Sequence, residues 1–256
     1  MEVKGGHNRK CTVMICECLG TALFIYGIIM TGTASTIPFS LFASILLFGA
    51  ITGGHFNPAV SLGVFLGEGK NYGENFGFLM LIWLGQFLGG GLAMGLSYLS
   101  LFDTQPPPTT VPAALVPRLC PQEYPVHEGI TDCDNWDGRG EYHFAWQVLV
   151  NEIVCTFIFV SVILMVKLGD GYVQVTKDGI SGALGVALTL LAMITTGGKL
   201  GACYNPAVAV TLTGNAVTFL DDETGYLKHY APYYFIGPLL GAALAGVFHI
   251  THKNVL

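Results

Sequence analysis

The chain has 256 residues, 52% of them hydrophobic and only 11% charged, with a formal net charge of −6. Soluble globular domains carry about 25% charged residues, so the composition excludes an ordinary soluble fold and indicates a membrane protein; no nucleic-acid partner is expected. No metal-ligand spacing, nucleophile motif or phosphate loop in a strand–helix context stands out, which argues against an enzyme and calls for neither cofactor nor metal.

Apolar segments run over about 11–30, 37–51, 76–102, 145–168, 179–196 and 231–250. Most can span a hydrocarbon core of about 30 Å, although the second, with about fifteen residues, is short. Lys4, Arg9 and Lys10 ahead of the first segment place the N-terminus in the cytoplasm. Glu17 lies inside that segment and no clear small-residue cleavage site follows, against a removable signal peptide. Six crossings return the C-terminus to the cytoplasm, where Lys253 follows the last helix. The expected location is an integral, multi-pass position in lipid, the plasma membrane preferred over an internal one.

Two further apolar pieces, about 58–66 and 206–219, are too short to span. Each is opened by the same element, Asn57-Pro58-Ala59-Val60 and Asn205-Pro206-Ala207-Val208, after a glycine-rich stretch. Asn is a favoured helix N-cap and Pro a favoured first helical residue, so each reads as a helix start. The predicted fold is therefore all-α: six transmembrane helices plus two re-entrant half-helices.

Residues 103–144 join the third and fourth spans on the outside. They hold seven acids against Arg118 and Arg139, a net five of the chain's six negative charges. Pro106, Pro107, Pro108, Pro112, Pro117, Pro121 and Pro125 rule out a helix through its first part. Cys120 and Cys133 lie in this loop and can pair if it faces an oxidising compartment. A zinc site using His127 and His143 matches no strong spacing. Cys11, Cys16, Cys18, Cys155 and Cys203 fall in or beside the membrane and are expected as free thiols.

The sequence repeats internally. Glu17-x-x-Gly20-Thr21 in the first span resembles Glu152-x-x-x-Thr156 in the fourth. Gly85, Gly89 and Leu92-Ala93 in the third match Gly237, Gly241 and Leu244-Ala245 in the sixth. Each half, about 11–102 and 145–250 of a single channel domain 1–256, holds three spans and one Asn-Pro-Ala loop. Three is odd, so the halves enter from opposite faces, as in channels and transporters built from inverted repeats. The Gly-x-x-x-Gly spacings allow close helix approach.

Half-helices entering from opposite faces meet near the midplane, where irregular backbone survives only if buried or lining a water-filled path. Their N-termini each carry about half a positive charge and repel cations. Asn57 and Asn205 offer amide donors in an otherwise apolar wall. That suits a neutral molecule with an acceptor oxygen.

These residues together resemble the major intrinsic protein family, the aquaporins and glycerol facilitators. The resemblance rests on both Asn-Pro-Ala loops, Glu17, Glu152, His55, Gln86 and Gly237-Pro238, and covers nearly the whole chain except 103–144. It implies a homotetramer with one pore per protomer and passive transport without a cofactor. It favours Glu17 and Glu152 as acceptors for loop N–H groups over a proton relay, His55 as a loop brace, and Gln86 as a bond between helices. Cys203 either lines the pore, with mercury sensitivity, or faces protein.

The family's outer constriction normally has an Arg directly after the second Asn-Pro-Ala; here it is Val208. Matching without gaps gives Ile37, Met193 and Ala202 as the other constriction positions, an apolar ring. Lys199 is either a partial substitute for the missing charge at the outer mouth or a cation pointing into solvent. Glycerol facilitators usually have an Asp second after this loop; here it is Ala209. The expected function is a passive water channel, with small neutral solutes as further permeants. The alternatives are a glycerol-, urea- or ammonia-selective channel, and a weak or closed pore with a structural or adhesive role. A secondary transporter would need a cluster of coupling-ion ligands, whereas Glu17 and Glu152 each stand alone in their half.

Overall fold

The computed structural model describes residues 7–31, 33–101, 145–168, 179–219 and 226–255. They form eight α-helices: α1 His7–Thr31, α2 Ile37–Thr52, α3 Pro58–Gly67, α4 Tyr72–Leu101, α5 Ala145–Leu168, α6 Gly179–Gly197, α7 Pro206–Phe219 and α8 Tyr226–Val255. One 3-10 turn, Gly198–Leu200, follows α6. No strand occurs among the described residues. Cys120, Cys133, His127, His143 and the rest of 103–144 lie outside them, as does 169–178.

Five helices, α1, α4, α5, α6 and α8, are long and apolar enough to cross a membrane, while α2 has 16 residues. At 1.5 Å per residue α2 rises only about 24 Å, and the ten residues of α3 about 15 Å, half the hydrocarbon thickness. Their outward faces are as apolar as their inward ones. Leu84, Leu88, Leu92 and Leu96 expose a stripe along α4, and Ile236, Leu240 and Leu244 one along α8. A helix apolar all round is stable only with lipid or protein on every side.

The helix ends differ from the hydropathy reading. α4 begins at Tyr72 rather than near 76, and α8 runs from Tyr226 to Val255, so Lys253 sits in its last turn rather than after it. Hydropathy falls where the chain leaves hydrocarbon, but the i→i−4 bonds continue. His252 and Lys253 also oppose the negative end of the α8 dipole.

Two helix pairs dominate the packing, α1 with α4 and α5 with α8. Their contacts are equivalent. Cβ atoms added at Gly85 and Gly89 would strike the carbonyl oxygens of Met14 and Cys18, and at Gly237 and Gly241 would meet those of Leu149 and Ile153. Thr21 and Thr156 stand at the same place beside Gly89 and Gly241. The small residues thus let backbones touch in both halves of the inverted repeat.

Candidate functional site

Both loops are built alike. Gly53 (φ 86°) and Gly201 (φ 100°), each four residues before its Asn, take left-handed conformations that a Cβ disfavours. At Gly53 this ends α2, its N–H returning to the Gly49 carbonyl at 2.9 Å. Phe56 (φ 47°), Ala202 (φ 50°) and Tyr204 (φ 55°) share this region without being glycine. Such residues cost on the order of 1–2 kcal/mol each and persist only where their surroundings hold them.

Glu17 and Glu152 do the holding. Glu17 accepts from the N–H groups of His55 (3.0 Å) and Phe56 (2.8 Å), and Glu152 from those of Cys203 (2.8 Å) and Tyr204 (2.7 Å). Both side chains are fully buried. An ionised carboxylate in a span costs at least about 3 kcal/mol, and charge-assisted bonds of about 1.5–3 kcal/mol each offset that.

The braces then differ. In the first half Gln86 Nε2 donates to Glu17 (2.7 Å) and to Ser61 Oγ (2.9 Å); Ser61 also pairs with His55 Nδ1 (3.1 Å). Trp83 donates its indole N–H to the Pro58 carbonyl at 3.0 Å. In the second half two buried phenols serve: Tyr204 OH donates to the Met193 carbonyl (2.9 Å) and Tyr234 OH to that of Leu200 (2.7 Å). Where the first half has Gln86 and Ser61, the second has Pro238 and Ala209.

At the centre the two loops hold each other. Asn57 Nδ2 donates to the Tyr204 carbonyl at 2.9 Å, and Asn205 Nδ2 to the Phe56 carbonyl at 3.0 Å. Each Asn Oδ1 caps its own helix, from Ala59 N–H (2.8 Å) and Ala207 N–H (2.9 Å). An amide nitrogen has two N–H donors, and one of each remains beyond the cross-loop bond. Both Asn side chains line a waist of about 20 Å³ with Cys203, His55, Phe24 and Leu41. That is room for about one water.

A wider vestibule of about 470 Å³ opens from the waist, sharing Leu41, His55 and Phe159 with it. Its rim carries the ends of α2 and α5 and the start of α6, so it faces the side that bears both chain termini.

The sequence of residues 7–249 matches the family described as Major intrinsic protein. The chain belongs to that family. As a member it is a multi-pass membrane channel protein, not an enzyme. It is 26% identical to "Probable aquaporin TIP1-1" of Oryza sativa subsp. japonica, over 95% of this chain and 87% of that one. It is 28% identical to "Aquaporin-8" of Rattus norvegicus over 91% of this chain and 78% of that one. The fold is that of the aquaglyceroporin from Plasmodium falciparum, with a TM-score of 0.67 at 17% identity, covering 94% of this chain and 95% of that one.

The family member's expected site residues fall as follows. Asn57 and Asn205 meet, and Glu17, His55 and Gln86 form one network with Ser61. Cys203 lines the waist, its thiol donating to the Asn205 carbonyl at 3.2 Å. Among the described residues, Cys11, Cys16, Cys18, Cys155 and Cys203 form no disulfide. Val208 is buried in the core, and Ile37, Met193 and Ala202 pack against it half-buried. Lys199 is exposed on the 3-10 turn. Sequence reasoning missed Ser61, Tyr204 and Lys167. Tyr234 is legible there only as one of the aromatic pair Tyr234-Phe235 before Gly237, which is closer to the water-channel pattern, and not as a brace of the second loop. Ser61 was the most accessible, since four residues after an N-cap puts its hydroxyl on the cap's own carbonyl, here at 3.1 Å.

Proposed function

We propose that this chain is a passive channel for water, admitting small neutral solutes as secondary permeants. One observation carries the reading. Two cross-braced Asn amides present their remaining N–H donors to a waist of about 20 Å³. A water oxygen accepts there, while the positive N-terminal ends of α3 and α7 on either side oppose a cation. Relatives named as aquaporins, and a structural neighbour named as an aquaglyceroporin, support a pore of this class.

Ala209 in place of an Asp leans toward water. Val208, with Ile37, Met193 and Ala202, makes the proposed outer constriction apolar, so permeant oxygens meet no strong donor there. Lys199 is the proposed partial charge at the outer mouth; unchanged proton leak in Lys199→Ala vesicles removes it. The working assembly is a homotetramer with one pore per protomer, both termini cytoplasmic, in the plasma membrane.

Stopped-flow light scattering on proteoliposomes under an osmotic step tests the function. Fast shrinkage with a low activation energy is expected. Vesicles that shrink no faster than empty ones refute the open water channel. Wild type beside Val208→Arg, assayed with glycerol and urea, shows whether the missing Arg widens solute choice; the Arg variant is expected to pass less of both.

A further inference from the structure

Among the described residues, the vestibule wall is apolar apart from two side chains, His55 and Lys167. Lys167 lies in the last turn of α5, half-buried, and its Nζ donates to the Gly53 carbonyl at the end of α2. A Cβ at Gly53 would meet His55 Nε2 at 3.4 Å and Lys167 Nζ at 3.6 Å, so ammonium and imidazole flank the same turn. No carboxylate lines this wall among the described residues. Glu17 interacts with Lys167 through space, but its oxygens are occupied by His55 N–H, Phe56 N–H and Gln86 behind the loop. A cation within a transmembrane segment that faces a cavity is costly and marks a pathway.

The location matters twice. The C-terminal carbonyls of α2 form the negative end of a helix dipole and would attract a cation entering the vestibule. Lys167 occupies that end and adds a fixed positive charge to the wall. At the opposite end, the position where the family normally carries Arg is Val208.

We propose that Lys167 is a specificity-determining residue of this pore, excluding monovalent cations and hydronium at the terminus-bearing vestibule, in place of a charge at the outer constriction. A unit charge about 6 Å away at an effective dielectric of about 20 lowers cation occupancy about a hundredfold. Solvent entering the vestibule screens part of this, so a tenfold effect is the working expectation. The inference rests on the conducting-pore reading above.

The test uses full-length protein in liposomes, wild type beside Lys167→Arg, Lys167→Gln and Lys167→Met. Osmotic water flux and the leak of potassium and protons are read on the same vesicles. Arg keeps donor and charge, Gln keeps a donor without charge, and Met keeps neither. A leak-to-water ratio that rises at least about tenfold in Gln and Met, with Arg as tight as wild type, is the expected result. Gln as tight as wild type, with water flux intact, overturns the proposal alone and leaves Lys167 as a latch on Gly53. Wild-type vesicles without water flux overturn both the proposal and the channel reading. If Met fails to fold, the Gln–Arg pair still decides.

Discussion

The sharpest structural prediction concerns Glu152. Its two oxygens accept from Cys203 N–H at 2.8 Å and Tyr204 N–H at 2.7 Å, and no solvent reaches them. In Glu152→Gln one oxygen becomes an NH2 facing an N–H. One charge-assisted bond is lost and a buried donor is stranded, together about 3–5 kcal/mol. Removing an ionised carboxylate from a span returns part of about 3 kcal/mol, since the wild-type group is already hydrogen-bonded. The net loss is about 1–3 kcal/mol, and it falls on a loop that holds Ala202 and Tyr204 at positive φ. Glu17→Gln is expected to be milder. Gln86 Oε1 is buried without a partner and can accept from a new amide, whereas the second half offers Pro238 there. Thermal unfolding in detergent and osmotic flux at matched incorporation measure both variants. Glu152→Gln that unfolds with the wild type and conducts normally would refute the brace. Unchanged stability with lost proton movement would instead favour a relay.

Other outcomes follow from single contacts. Ala202→Gly relieves a left-handed Cβ (φ 50°) and should stabilise by about 1 kcal/mol, read as a higher unfolding midpoint. Gly89→Leu and Gly241→Leu set side chains against the Cys18 and Ile153 carbonyls, so both should lose folded protein in size-exclusion chromatography. Mercurials should block water flux through Cys203 at the waist, and Cys203→Ser should resist the block; equal block in both variants places the reactive thiol elsewhere. Asn205→Asp puts a carboxylate at the midplane and should raise potassium leak several-fold in liposomes. Val208→Arg in the Lys167→Gln background should lower the leak again, showing that a charge within the outer constriction can replace the one at the vestibule.

The sequence by itself determined what partitions and what starts a helix. Its 52% hydrophobic content and six apolar segments mark spans, and Asn before Pro marks both re-entrant helices, because solvent transfer and capping act over a few neighbouring residues. Repeat matching paired Glu17 with Glu152 and Gly85, Gly89 with Gly237, Gly241, and these take equivalent places in the structure. Helix ends were less legible, since α8 continues as a helix beyond the point where hydropathy fades.

Tertiary structure decided the rest. Lys167 lies 114 residues from Gly53, and nothing in the local pattern says that the end of α5 closes on the end of α2. The left-handed Phe56 and Tyr204 cannot be read from propensity, because carboxylates on distant helices hold their N–H groups. The two halves also reach the same loop geometry by different means, Gln86 and Ser61 in one and the phenols of Tyr204 and Tyr234 in the other. The waist of about 20 Å³ exists only where Asn57 and Asn205 meet across the fold. Local sequence encodes how each segment meets lipid and where each helix begins; which distant side chains meet at the pore depends on the packing of every helix at once.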